Sequence, residues 1–164
     1  MAPSELYTHL LDLAQRHAAG ADILSLRHRD AVHRWGHARL VSQHPCLQHA
    51  LSNADLLAHF QSTGKLLESC KGETHDIMVD EHQRKATIWM SYFLVTVASE
   101  EVVENDLIWT LRFSDEEKVE DVRIVESVEF IDATASGRAN QLLRQAGVEI
   151  GEDVMGGLGV VLWS

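Results

Sequence analysis

The sequence has few of the residues that define several large classes of protein. Only two cysteines, Cys46 and Cys70, are present among 164 residues, which is too few for a disulfide framework. The first residues, MAPSELYTHLLDLAQRH, lack the uninterrupted apolar core of a signal peptide. Together these two features predict a protein of the reducing cytoplasm.

Long apolar runs and proline-rich linkers are also missing. The most apolar stretch, ATIWMSYFLVTVA, is too short to span a bilayer and favours a buried strand. No internal repeat and no low-complexity segment divides the chain. We therefore predict no membrane partner and a single domain over residues 1–147, followed by a C-terminal tail over residues 148–164.

Positive charge is scarce as well. Lys and Arg number 14 against 25 Asp and Glu, which gives a formal net charge of −11. A nucleic-acid partner is not expected, because binding one requires Lys and Arg to neutralise its phosphates. The sequence also contains no H-E-x-x-H, no C-x-x-C and no glycine-rich loop between a strand and a helix. It therefore predicts neither a metal nor a cofactor.

The hydrophobic period changes from helical to strand-like along the chain. Apolar residues at helical spacing predict one helix from Ser4 to about Ala19, with Ser4 as its N-cap and Gly20 beyond its end. A second helix is predicted from Asn53, its cap, to Glu68. Stretches rich in β-branched and aromatic residues then predict four strands, over residues 73–80, 85–97, 102–113 and 119–131, and a short helix follows near residues 136–145.

The connections between the predicted strands are short and polar. DEHQRK, SEE and SDEEK join consecutive strands as hairpins, which predicts an antiparallel meander without crossovers. Helices followed by a curved antiparallel sheet give an α+β fold in which the sheet wraps around the helices as a cone. The open end of such a cone is where a small-molecule cavity is expected.

Five motifs carry a resemblance to a known family. LRHRDAVHRW, LLAHF, THDIMVDEHQRKATIWMSYF, VENDLIWTLRF and VESVEFIDA occur in this order within roughly residues 5–135. They resemble the SnoaL-like branch of the NTF2-like superfamily and, more narrowly, small fungal proteins of secondary-metabolite pathways. The resemblance implies an α+β barrel cone, the NTF2-like fold, whose pocket works without a cofactor.

The resemblance also implies an activity. This is isomerisation or cyclisation, including skeletal rearrangement, of a polyketide, terpenoid or alkaloid intermediate by general acid/base chemistry. Dehydration is one alternative, because the same base and acid would expel water from a β-hydroxy ketone. A non-catalytic binding or assembly module is the other, since one fold serves many purposes.

Three residues are the catalytic candidates. His33 and Arg34 match the family's VHR, where an imidazole can move protons and a guanidinium can hold an enolate or carbonyl oxygen. Adjacent strand residues point to opposite faces, so only one of the two should enter the cavity unless a bulge intervenes. Glu129 in VESVEFIDA shares a face with apolar neighbours, which would raise the pKa of its carboxyl, while Glu126 is the solvated alternative.

Aromatic and polar residues near these candidates are expected to contact the substrate. Tryptophan and tyrosine rings supply flat walls and stabilise cationic character, and Trp89 and Tyr92 must lie on opposite faces of their strand. Asp30 can orient His33 or pair with Arg27. The substrate-binding candidates are Asp30, Trp35, His59, Trp89, Asn105 and Trp109.

Two further expectations concern assembly and the tail. The long strand over residues 85–97 is apolar on both faces, which predicts a homodimer packed sheet to sheet. The tail sequence VMGGLGVVLWS is too hydrophobic to be left in water and too rich in glycine for an independent helix. It is expected to dock, either as a lid over the open mouth through Leu162 and Trp163 or as a structural cover.

Overall fold

Four α-helices and five strands are present in the part of the chain that the computed structural model describes, which is residues 2–20, 22–151, 154 and 156–161. The helices are α1 Glu5–Ala18, α2 Ala38–Gln43, α3 Asn53–Gly64 and α4 Ala133–Gln145. The strands are β1 Arg27–Trp35, β2 Leu67–Asp80, β3 Lys85–Thr96, β4 Val102–Phe113 and β5 Ile124–Phe130. None of the described helices is long and apolar enough to cross a membrane.

The five strands form one mixed sheet in the order β1-β5-β4-β3-β2. Strands β2 to β5 pair antiparallel with their chain neighbours, which confirms the predicted meander. Strand β1 pairs parallel with β5 at the edge of the meander and was not among the four predicted strands. This pairing brings the N-terminal HRDAVHRW segment beside VESVEFIDA.

Helix α1 begins and ends where the sequence predicts. The Tyr7 backbone N–H donates to Ser4 Oγ at 2.9 Å, so Ser4 is the N-cap. Gly20 follows the helix with a φ of +72°, a left-handed conformation that glycine adopts without steric cost.

Helix α3 differs from its prediction at both ends. Ser52 caps it, in a capping box with Asp55, and Asn53 lies inside the helix with its side chain turned toward β1. The helix ends at Gly64, before the predicted Glu68, because the chain from Leu67 onward pairs with β3. Long-range strand pairing here overrides the local helical pattern.

The sheet curls around two apolar clusters on its concave side. Leu10 and Leu13 of α1 pack against Ile88 and Met90 of β3 at one end. At the other end, Trp35 of β1 belongs to a separate cluster that also includes residues of α3 and of the tail. The candidate site lies on this concave side.

Candidate active site

A cavity of about 220 Å³ opens on the concave face of the sheet, bounded also by α3, α4 and the tail. Its walls are largely apolar and include four aromatic rings, those of Trp35, Phe60, Tyr92 and Trp109. Glu129 is the one carboxyl among the described residues that line it.

Glu129 reaches this position through the alternation of β5. Ser127, Glu129 and Ile131 point inward and are buried, as the period of two predicts. The strand register places Glu129 between Trp35 on β1 and Trp109 on β4. Burial among these rings raises the pKa of the Glu129 carboxyl to about 8. At neutral pH the group is therefore mostly protonated.

His33 lies behind Glu129 and away from the cavity surface. It is fully buried, its Nε2 is 4.0 Å from Glu129 Oε2, and its Nδ1 is 3.0 Å from Ser127 Oγ. Burial, with smaller contributions from His59, Arg27 and His17, holds the pKa of His33 well below its usual value. The imidazole is thus neutral and lies beside the carboxyl, beyond hydrogen-bond distance. It is buried and does not line the cavity, so the direct contact with a substrate that the sequence suggested does not fit its position.

Arg34 lies on the outer face of the sheet. The alternation of β1 sends His33 inward and Arg34 outward, and the irregularity in the β1–β5 pairing falls earlier, between Arg27 and Val32. Arg34 Nε is 3.3 Å from Glu126 Oε1, and Arg112 pairs with the same carboxylate. The predicted role of Arg34 as an oxygen-holding cation does not fit this position.

Two of the predicted substrate contacts also lie outside the cavity. Asp30 is exposed and pairs with Arg29 at 3.2 Å, because β1 turns this side chain to solvent. Trp89 is 47% exposed on the outer face, where its indole N–H donates to Asp106. Tyr92, three residues further along β3, faces the cavity instead, which agrees with the prediction that the two rings lie on opposite faces of the strand.

The other four predicted contacts do line the cavity. Trp35, Asn105 and Trp109 come from the sheet, and His59 comes from α3, where its ring packs edge-on against Trp35. Asn105 Oδ1 accepts the backbone N–H of Asp132, which leaves its amide group as a donor toward the cavity. Asn105 and Trp109 share one face, as their spacing predicts.

Sequence reasoning missed three residues around the carboxyl. Cys70 lines the cavity from β2, and burial followed by the proximity of Glu129 raises the pKa of its thiol. Ser127 and Arg27 are buried behind the cavity wall, where they bond to each other. Ser127 lies two residues before Glu129 on the same strand face, so the sequence alternation could have identified it. No feature of the sequence near Arg27 indicates that Arg27 lies beside β5.

The described residues of the tail pack against the mouth of the cavity. Gly157 and Leu158 line it, and Asn140 Nδ2 donates to the Leu158 carbonyl at 2.6 Å. Gly156 has a φ of +76°, and a Cβ there would lie 2.6 Å from the Trp35 ring. Leu162 and Trp163, the predicted lid residues, lie outside the described residues.

Two tail variants separate a lid from a structural cover. Leu158 and Val160 are both buried, but Leu158 lines the cavity and Val160 does not. We expect Leu158→Ala to lower the free energy of unfolding by about 2–5 kcal/mol and also to change turnover or product distribution. Val160→Ala should lower the melting temperature alone. If both variants change catalysis equally, or if neither changes it, the tail is a structural cover and not a lid.

No protein-family model matches this sequence, and no curated protein is similar to it at a significant level. Solved structures do match. PrhC from Penicillium brasilianum NBRC 6234 is 18% identical with a TM-score of 0.70, over 92% of this chain and 96% of that one. BvnE pinacolase from Penicillium brevicompactum is 17% identical with a TM-score of 0.70, over 88% of this chain and 97% of that one.

A bacterial structure matches over a similar share of the chain. A putative SnoaL-like polyketide cyclase from Jannaschia sp. CCS1 is 11% identical with a TM-score of 0.63, over 85% of this chain and 96% of that one. At these identities the likeness shows the fold. The chain has the NTF2-like α+β cone fold that the resemblance implies.

Proposed function

We propose that this protein is a cofactor-independent isomerase or cyclase, skeletal rearrangement included, of an uncharged polyketide, terpenoid or alkaloid intermediate. The observation that carries the proposal is Glu129, a carboxyl that burial keeps protonated inside an aromatic cavity. A general acid works best when its pKa lies near the working pH. The structural likeness to a pinacolase and a putative polyketide cyclase supports the same kind of chemistry.

In the proposed reaction Glu129 acts first as acid and then as base. The carboxyl O–H bond breaks as its proton passes to a carbonyl oxygen of the substrate, and cationic character develops on the adjacent carbon. The faces of Trp35 and Trp109 stabilise that charge. After the skeleton or double bond has shifted, the carboxylate removes a proton from carbon. Proton and electrons balance, so the product is an isomer of the substrate.

The lining of the cavity favours a substrate without negative charge. Among the described residues that line it, none is Lys or Arg. A carboxylate or phosphate on the substrate would enter a largely apolar space that offers no Lys or Arg among these residues to pair with, which is costly. Tyr92 and Asn105 supply neutral hydrogen-bond donors that suit carbonyl and hydroxyl oxygens.

Dehydration is a second candidate for the same site. A resting acid can protonate a β-hydroxyl group and release it as water, and the carboxylate can then take the α-proton. The protonated state of Glu129 favours this possibility as much as it favours isomerisation. A purely structural module is less favoured, because the cavity is open and has the Glu129 carboxyl in its wall, with the His33 imidazole behind it, rather than being filled by Trp and Leu.

Deuterium exchange tests the function before the natural substrate is known. Neutral cyclic enones and hydroxyketones incubated with the protein in D2O should gain carbon-bound deuterium, isomerise or lose water, as followed by NMR. The same skeletons bearing a carboxylate should not bind, as judged by quenching of tryptophan fluorescence. Tight binding of neutral compounds with no exchange, or exchange that persists in Glu129→Gln, would favour a binding module.

The homodimer remains a proposal that the outer face of the sheet supports. Met78, Trp89 and Ile108 are 63%, 47% and 42% exposed there, and Trp89, Ile108 and Phe130 are successive partners across β3, β4 and β5. Light scattering at micromolar concentration should give twice the chain mass of 18.4 kDa.

A matched pair of variants locates the dimer surface. Trp89→Ser should weaken the dimer, because it removes the largest ring from the outer face. Leu57→Ser, at a leucine of α3 that is 42% exposed, should leave the dimer intact. A monomeric mass for the unaltered protein would contradict the dimer itself.

A further inference from the structure

Arg27 is a buried cation that makes no ion pair with any described carboxylate. It is 5% exposed, its Nε donates to Asn53 Oδ1 at 2.7 Å, and its Nη1 donates to Ser127 Oγ at 2.8 Å. Asn53 is itself held by bonds from its Nδ2 to the carbonyls of His28 and Arg29. Burial lowers the pKa of Arg27 to about 10, so it stays charged at neutral pH. Such a charge is costly to bury, and the geometry around it indicates what it does.

Ser127 links this cation to His33. Its Oγ accepts from Arg27 Nη1 and lies 3.0 Å from His33 Nδ1, with no exposed surface. A hydroxyl has one proton to give, and a guanidinium accepts none. Within the described part of the chain, the acceptor left for that proton is His33 Nδ1. A neutral imidazole that accepts at Nδ1 carries its own proton on Nε2.

The Nε2 atom of His33 lies near the Glu129 carboxyl. Nε2 is 4.0 Å from Glu129 Oε2 and has no hydrogen-bond partner among the described residues. This is about 1 Å longer than a normal N–H···O bond. Catalytic hydrogen bonds are often long in ligand-free structures and tighten when charge develops. The charge that would tighten this one is the carboxylate that forms when Glu129 gives up its proton.

We propose that Arg27 and Ser127 fix His33 as the Nε2–H tautomer, and that all three are positioning residues which stabilise the Glu129 carboxylate formed during turnover. This inference rests on the proposed acid/base role of Glu129. The Arg27 cation polarises the Ser127 hydroxyl, which donates to Nδ1 and makes the imidazole a fixed N–H donor. The proton that leaves Glu129 goes to a substrate oxygen, and a proton from a substrate carbon replaces it on the same carboxyl, so His33 neither gains nor loses one.

Other titratable groups face this pair from the surrounding elements. Glu129 is faced by His59 from α3, Cys70 from β2 and Tyr92 from β3. Burial and then the proximity of Glu129 raise the pKa of both the Cys70 thiol and the Tyr92 phenol. Both groups therefore stay neutral around pH 7. His17 of α1 is the remaining group near His33, and burial lowers its pKa to about 3.

The tautomer can be measured directly in the unaltered protein. Nitrogen-15 NMR of the histidine side chains should show His33 with a protonated Nε2 and an unprotonated, hydrogen-bonded Nδ1 at neutral pH. A proton on Nδ1, or an exchanging mixture of tautomers, would overturn the proposal. This measurement needs no substrate, so a failure of the proposed function would appear separately, as absent turnover by a protein with the expected tautomer.

Ser127→Ala tests whether the hydrogen-bonded residues Arg27, Ser127 and His33 affect Glu129. The titration of the Glu129 carboxyl, followed by carbon-13 NMR, should move to higher pH because the carboxylate loses its oriented donor. Turnover should fall by about 10- to 100-fold, by analogy with the loss on removing a partner that orients a metal-binding side chain. Ser127→Thr, which keeps the hydroxyl, should recover part of both effects.

Ser91→Ala is the matched control. Ser91 is equally buried on β3, but its hydroxyl bonds to His75 and Glu104 on the outer face. This variant should change neither the Glu129 titration nor the His33 tautomer. An unshifted Glu129 titration in Ser127→Ala would contradict the proposal, and if Ser127→Ala does not fold, the tautomer of the unaltered protein still decides it.

Discussion

Replacing Glu129 with glutamine is expected to lower turnover by about two to four orders of magnitude, the usual loss on removing an acid/base group. The fold should be retained, because glutamine has the same shape and is uncharged, like the protonated carboxyl that it replaces. Steady-state kinetics on the first substrate found by deuterium exchange measure the effect. The loss should appear in kcat, since the neutral amide still occupies the cavity wall.

Glu126→Gln is the control for this substitution. It removes a carboxyl from the same strand, three residues earlier, but on the outer face, where Glu126 pairs with Arg34 and Arg112. Its turnover should stay within a few-fold of the unaltered protein. A fully active Glu129→Gln beside an inactive Glu126→Gln would show that the reacting carboxyl lies on the other face of the sheet.

The contribution of Glu129 to the stability of the protein is expected to fall as the pH rises from about 4.5 to about 8. Folding raises the pKa of Glu129 from 4.5 to about 8, because burial opposes its ionisation. Its contribution to stability is therefore fully present below the unfolded value and is lost as pH rises through the folded value. The amount is on the order of a few kcal/mol.

Buried histidines make the stability of the protein fall as the pH decreases below 6.5, which is opposite to the effect of Glu129. Burial lowers the pKa of His17 from 6.5 to about 3, with a smaller effect of Arg27, and the pKa of His33 is lowered as well. Their contribution to the stability of the protein is present above pH 6.5 and is lost as the pH falls. The reason is that these histidines bind protons in the unfolded chain at a pH where they remain neutral in the folded chain. The two opposing windows place the greatest stability near neutral pH.

Urea unfolding at a series of pH values separates the two contributions. Glu129→Gln should be more stable than the unaltered protein above pH 8, and the difference should disappear toward pH 4.5. His17→Leu should instead flatten the acid limb and leave the alkaline limb unchanged. Parallel stability curves for the unaltered protein and Glu129→Gln would mean that the Glu129 carboxyl is not protonated in the folded state.

Local periodicity was sufficient for much of this protein. The predicted meander, the Ser4 cap and the inward position of Glu129 all follow from residues a few positions apart. The same period of two required that only one of His33 and Arg34 could face inward. Alternation fixes the relation between neighbours in a strand, and this relation holds in any tertiary arrangement.

Only the tertiary structure decided which face of strand β1 is turned toward the candidate site. Strand β1 pairs parallel with β5, and this register turns His33 inward, sends Arg34 to Glu126 and exposes Asp30. The bonds that join Arg27 and His33 to Ser127 cross 100 and 94 positions of sequence. No pattern within β1 specifies its partner strand, because the side chains of a strand alternate between its two faces in the same way whichever strand pairs with it.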